Sequence, residues 1–153
     1  QHDNLIVLRT FSKCFALAGL RVGYGVTSLK IAKMLMKIKP PFSVNVAAEI
    51  ALKTCLDHFD DFQKQVNQII KTRDQAINSL RKFKEFTVYP SKSNFILCKV
   101  DGIPAQKIKK ELELKGILIR YFDVDLLQNY IRISVGSPDQ MATLIQELSK
   151  ILS

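Results

Sequence analysis

Acidic residues are scarce: 14 Asp and Glu stand against 23 Lys and Arg in 153 residues, leaving a formal net charge of +9 with both histidines neutral. Glycine (6) and proline (5) are also few, while 47% of residues are hydrophobic. That composition excludes collagen-like, low-complexity and disordered chains, and it supplies enough apolar side chains for a sizeable core. No apolar run approaches the roughly 18 residues of a membrane-spanning helix, so no membrane association is expected. The opening Gln1-His2-Asp3-Asn4 carries neither a basic n-region nor an apolar h-region, and no secretory signal is read there. The three cysteines, Cys14, Cys55 and Cys98, are odd in number, widely spaced and outside any CxxC pair. Neither a disulfide framework nor a metal site is indicated, and a reducing, cytoplasmic setting is expected. A start at Gln rather than Met, running straight into an apolar stretch, points to a portion of a longer protein.

The basic residues are spread over 30–39, 64–84 and 107–115 with the spacing of solvated helix faces, without an aromatic-interleaved stripe. No nucleic-acid partner is expected on that distribution. A non-catalytic basic binding module remains the reading from a different class. Two phosphate-binding motifs are also missing. There is no GxxxxGK[ST], and Gly19, Gly23 and Gly25 do not fit GxGxxG with a following helix, so a nucleotide fold is unsupported.

What is present reads as an α/β chain. Leu5-Ile6-Val7-Leu8 is a continuous apolar run, as in a strand buried on both faces. A second strand is expected over Leu20 to Val26, its glycines allowing close approach of backbone or ligand. Ser28 is placed to cap a helix over Leu29 to Ile38 that stops at Pro40-Pro41. Helical periodicity follows over Val44 to Leu56. A longer helix then carries Phe62, Val66, Ile69, Ile70, Ile77 and Leu80 on one stripe. Thereafter short strands and helices alternate: strands over Thr87 to Tyr89, Phe95 to Val100 and Ile117 to Tyr121, and a helix from about Pro104 to Lys115 ended by Gly116. Tyr130 to Val135 is a strand by strict alternation. Ser137-Pro138 opens a last helix with a cap and a proline at its first position. A boundary is expected near His58, between the end of a large α/β lobe (1–58) and a small α+β lobe (59–153).

The chemistry concentrates in Thr10-Phe11-Ser12-Lys13-Cys14-Phe15-Ala16-Leu17-Ala18-Gly19-Leu20-Arg21. A lysine at the exit of a strand, with hydroxyls at Thr10 and Ser12 and an arginine eight residues on, offers an amine nucleophile beside anion-binding donors. A phosphorylated aldehyde requires that combination. Arg132 alternates with Ile131 and Ile133, so it points away from the face those residues fill. An arginine in an otherwise apolar strand calls for an anionic partner, either a ligand or an acidic residue of the same lobe.

The lysine segment resembles that of the fold-type I aminotransferases, which carry pyridoxal 5′-phosphate, and within them the histidinol-phosphate aminotransferase family. Tyr89-Pro90-Ser91 with Ser93-Asn94-Phe95-Ile96-Leu97, Gly116-Ile117-Leu118-Ile119-Arg120 and Tyr130-Ile131-Arg132-Ile133-Ser134-Val135-Gly136 resemble that family's later landmarks, in order. The resemblance implies the C-terminal part of a PLP-dependent transferase fold: the tail of the large-domain sheet plus a small C-terminal domain. It makes Lys13 the catalytic Schiff-base lysine, and Ser12, Arg21 and Thr10 cofactor-phosphate ligands. It makes Arg132, assisted by Arg120, the holder of the substrate anion, with Asn94 as a further substrate-binding candidate. It implies transamination of histidinol phosphate with 2-oxoglutarate, glutamate being the amine carrier, in a homodimer. A threonine-phosphate decarboxylase and an aromatic or aspartate aminotransferase share these features and stay open. In the family the partners of the cofactor ring lie upstream of the lysine, so these 153 residues alone are expected to be inert.

Overall fold

The computed structural model describes residues 2–152, which separate into a first unit ending at Val66 and a second beginning at Asn67. Strand β1 (Ile6–Thr10) pairs antiparallel with β2 (Gly23–Thr27), from Ile6 opposite Thr27 to Thr10 opposite Gly23. Glycine at position 23 is a requirement of this pairing, because a Cβ there would lie 2.6 Å from the Arg9 carbonyl oxygen. The expected close approach is thus backbone on backbone.

The expectation of a doubly buried first strand is not met. All five residues of β1 are exposed, with Leu8 at 77%, since among the described residues the strand has one neighbour and no covering layer. The second strand also starts later than Leu20, because Ala18–Leu20 form a 3₁₀ turn and Arg21 takes a left-handed backbone (φ 55°).

Helix α1 (Leu29–Ile38) ends before Pro40 as the sequence predicts, but Ser28 does not cap it. The Ser28 hydroxyl donates instead to the Asp3 carbonyl at 3.1 Å. Helix α2 (Val46–Asp57) is capped by Asn45, whose side-chain oxygen accepts from the Ala48 N–H at 2.8 Å. The buried apolar side chains of this first unit are Phe15, Val22, Ala48 and Cys55.

Helix α3 (Phe59–Leu80) carries the chain from one unit into the next. Its buried stripe is Thr72, Arg73, Ala76, Ile77 and Leu80, whereas Ile69 and Ile70 of the expected stripe are exposed. Burial of Arg73 is tolerable because each of its three guanidinium nitrogens has a partner. Nε and Nη2 donate to Asp74 at 2.9 and 2.8 Å, and Nη1 donates to the Ser93 carbonyl.

The second unit is built on an antiparallel sheet in the order β3 (Phe86–Val88), β4 (Phe95–Val100), β6 (Tyr130–Ser134), β5 (Arg120–Phe122). Alternation sends Ile96, Cys98, Val100, Ile131 and Ile133 inward. There they pack with Ala76, Ile77 and Leu80 of α3, Ala105, Ile108 and Leu112 of α4 (Ala105–Leu114), and Met141, Leu144 and Leu148 of α5 (Pro138–Leu152). Helix α4 ends as Gly116 predicts: Gly116 (φ 74°) donates to Glu113 and Ile117 donates to Leu112, satisfying the last carbonyls. That closure consumes residues 116–117, so the following strand runs over Arg120–Phe122 rather than starting at Ile117. At α5 the expected cap is reciprocal: the Gln140 N–H donates to the Ser137 hydroxyl, and the Ser137 N–H donates to the Gln140 side chain. No helix among the described residues is long and apolar enough to cross a membrane.

Candidate active site

The loop of residues 11–22 leaves β1 and re-enters β2, its ends joined by the Phe11 N–H donating to the Val22 carbonyl at 3.3 Å. Phe15 anchors it. That ring is buried and lies 5.2 Å from Phe11 and 5.0 Å from Phe62, while Phe11 also meets Tyr24 at 5.5 Å. Aromatic contacts of this kind hold a loop that has no regular hydrogen-bond ladder.

On this anchored loop two of the expected residues come together. The Thr10 hydroxyl donates to the Ser12 hydroxyl at 2.8 Å and accepts from the Ser12 N–H at 3.1 Å. Lys13 follows directly, exposed, with no side-chain hydrogen bond or ion pair among the described residues. Arg21 sits where the loop turns back. Its Nη1 donates to the Ala18 carbonyl at 2.8 Å, which steadies the guanidinium and leaves its other donors open. The left-handed backbone at Ala16 and Arg21 costs about 1–3 kcal/mol at each non-glycine position. Strain of that kind, held in place by packing, is a mark of functional loops.

The second group of expected residues lies in the second unit, on the sheet face opposite the core. Arg120 and Arg132 stand directly across from each other in the β5–β6 pairing, both exposed. The Arg132 guanidinium carbon is 5.4 Å from the Phe95 ring centroid and 5.9 Å from that of Phe122, and the Arg120 guanidinium carbon is 5.5 Å from Phe122. Neither arginine forms an ion pair among the described residues, so the acidic partner considered for Arg132 is not found. The contrast on the same face is Lys99, which meets Asp101 at 3.0 Å. That hydrogen bond raises the lysine pKa from its ordinary value and lowers the aspartate's. Beside Arg132 on β6, Tyr130 shares a 3.0 Å hydroxyl contact with Tyr89, which raises the Tyr130 pKa. Asn94 enters this group through its backbone, its carbonyl accepting from the Val135 N–H at 2.9 Å while its side chain is exposed.

Phe95 and Phe122 escape a reading of the sequence because aromatic residues in strands read as core. The signal that finds them is register, which puts each diagonal to an arginine.

The family model for aminotransferase class I and II matches residues 1–148, and the chain belongs to that family. Within it, the chain is 42% identical over 151 residues to the histidinol-phosphate aminotransferase of Dehalococcoides mccartyi strain CBDB1, covering 99% of this chain and 42% of the relative. It is 39% identical over 156 residues to that of Methanocaldococcus jannaschii, covering 100% and 42%. The chain therefore spans less than half the length of the curated relatives it matches.

Solved structures agree. The histidinol-phosphate aminotransferase of Clostridium acetobutylicum superposes with a TM-score of 0.84 at 26% identity, covering 98% of this chain and 46% of that one. The enzyme of the same name from Sinorhizobium meliloti, solved with pyridoxal-5′-phosphate, gives 0.80 at 28%, covering 98% and 41%. The L-threonine-O-3-phosphate decarboxylase of Porphyromonas gingivalis gives 0.83 at 28%, covering 99% and 47%. The mixed α/β fold is thus that of the corresponding portion of these enzymes.

Proposed function

We propose that this chain supplies the lysine and the anion-binding residues of a pyridoxal-phosphate-dependent transaminase that acts on histidinol phosphate with 2-oxoglutarate. The observation that carries the substrate class is the Arg120–Arg132 pair: two like charges directly opposite on an exposed sheet face, without an ion-pair partner among the described residues. Like charges so placed destabilise a sheet, and an anion laid across both removes the repulsion. A phosphate monoester, carrying close to two negative charges, answers two guanidinium groups better than a single carboxylate does.

The donor set of residues 10–21 fits the cofactor. One free amine, two hydroxyls in mutual contact and one half-engaged guanidinium match an aldehyde with a phosphate tail. When bound, pyridoxal 5′-phosphate supplies the aldehyde that takes up the substrate amine and the ring that accepts its electrons. In this reading the Thr10 and Ser12 hydroxyls and the Arg21 guanidinium grip the phosphate tail and fix its position. Lys13 Nζ holds the cofactor at rest and moves the proton of the substrate's amine-bearing carbon. Arg132 and Arg120 bind the far end of the substrate and orient that carbon, and Asn94 contributes from the neighbouring strand entrance.

The domain reading is proposed with it: residues 1–58 as the end of a cofactor-binding domain and 59–153 as a small C-terminal domain. The exposed apolar side chains of the first unit, Leu8, Ile38 and Phe42 (93%) among them, support its completion by further protein, including a second copy in a homodimer. Three free thiols support a reducing, cytoplasmic setting.

Borohydride reduction of the full-length protein that carries this chain, followed by peptide mapping, tests the assignment. A pyridoxyl adduct on Lys13 is expected; an adduct on another lysine overturns it. The likeness to the P. gingivalis decarboxylase favours a second reading with the same arginine pair, and product analysis separates the two. An oxo compound means transamination, whereas carbon dioxide means decarboxylation.

A further inference from the structure

Resting on the reading that Arg120 and Arg132 take the substrate anion, we propose that Phe122 is a positioning residue that joins the two arginines into one clamp selective for a doubly charged phosphate over a single carboxylate.

The geometry begins with register. Phe122 lies two residues after Arg120 on β5, so both project from the same face, and it is paired with Tyr130, two residues before Arg132. One ring therefore sits within reach of both guanidinium groups, 5.5 Å from Arg120 and 5.9 Å from Arg132. Phe95, diagonal to Arg132 from β4, closes the other side at 5.4 Å. Arg132 is thus flanked by two aromatic rings, and Arg120 shares one of them.

Two exposed arginines placed opposite each other repel, and long side chains in water separate when nothing holds them. The π faces provide the hold. They attract both cations to a common place without supplying a negative charge that would compete with a ligand, as Asp101 does for Lys99. A guanidinium held by rings and not by a carboxylate also keeps N–H donors for a ligand. Two forks held side by side meet the three oxygens of a phosphate, whereas a carboxylate engages one fork fully. The preference follows from arrangement, and it is lost when the arrangement is.

The test is the full-length protein carrying Phe122→Leu, which keeps apolar bulk without a π face, and Phe122→Tyr, which restores the face. KM and kcat are measured for histidinol phosphate and for 2-oxoglutarate from pH 5 to 8, with the cofactor absorbance recorded alongside. Phe122→Leu is expected to raise KM for histidinol phosphate about tenfold, to leave KM for 2-oxoglutarate within about twofold, and to leave kcat and absorbance unchanged. Phe122→Tyr behaves as wild type. Equal effects on both substrates, no effect on either, or failure of the tyrosine to restore selectivity overturns the proposal.

Arg132→Gln separates this from the reading beneath it. If that change leaves both KM values alone, the arginines do not hold the substrate and both ideas fall. If it raises KM for histidinol phosphate while Phe122→Leu does not, only the role of Phe122 falls. Should the leucine variant not fold, Phe122→Met makes the same comparison.

Discussion

The two units solve different problems with similar sequence material. From Asn67 onward, four strands and three helical faces enclose a continuous apolar interior, and every inward position of β4 and β6 is filled. Up to Val66, a two-stranded ribbon and two helices leave Leu8, Val26, Met36 and Ile38 exposed around a small nucleus at Phe15. The lysine loop is held by that nucleus, and the arginine pair by a finished sheet. A site residue on a finished sheet has its direction set by alternation and register. One on a loop depends on local anchors such as the Thr10–Ser12 hydroxyl contact and the Arg21–Ala18 bond.

The comparison can be broken by mutation. Ile131→Ala, which empties a wholly buried site in the second unit, is expected to cost about 2–5 kcal/mol in urea unfolding. Leu8→Ala in the first unit is expected to stay within about 0.5 kcal/mol. Equal costs would mean that the first unit is packed as tightly as the second. Next in size are two asparagines. Asn129 adopts a left-handed backbone (φ 63°), and its side chain bonds Val100, Ile103 and Ala105, so Asn129→Ala is expected to cost about 2–3 kcal/mol. Asn45→Ala removes one helix cap in the first unit and is expected to cost about 1 kcal/mol in the same assay.

The thiols give a smaller and more selective contrast. Burial pushes the Cys98 pKa up to about 12, so the folded protein keeps that proton in a range where the unfolded chain releases it. Stability from this group is fully present below about pH 9 and is lost as pH rises toward 12, by about 1.4 kcal/mol per pH unit within that window. Urea midpoints for wild type and Cys98→Ala are expected to converge from pH 9 to 11; parallel curves would contradict the sign. At neutral pH an alkylating reagent is expected to label exposed Cys14 in the first unit before buried Cys98, as read by peptide mass spectrometry.

Much of the second unit was legible in the sequence because its signals are local. The alternation of Tyr130 to Val135, the reciprocal cap at Ser137 and the stop at Gly116 each depend on residues within a few positions. The buried reading of Leu5 to Leu8 failed because burial needs neighbours that an apolar run does not identify. Ile69 and Ile70 share the helical face of Arg73 one turn earlier, but burial on α3 begins only at Thr72, because periodicity marks a face and not how far along the helix the core extends. In the candidate site, Thr10, Ser12, Lys13 and Arg21 were read from one short segment, and the structure brings Thr10 and Ser12 into hydrogen-bond contact. Arg120 and Arg132 were legible one at a time, but their placement across one strand pair depends on a register that no local pattern encodes.

Asn129 carries a consequence beyond its energy. By bonding the last carbonyl of β4, the Ile103 carbonyl and the first N–H of α4, it measures out the segment between them. A residue added or removed between positions 101 and 104 would pull at least one of those three bonds apart. Insertions and deletions in descendants of this fold should therefore avoid that short span and collect where no single side chain acts as a ruler.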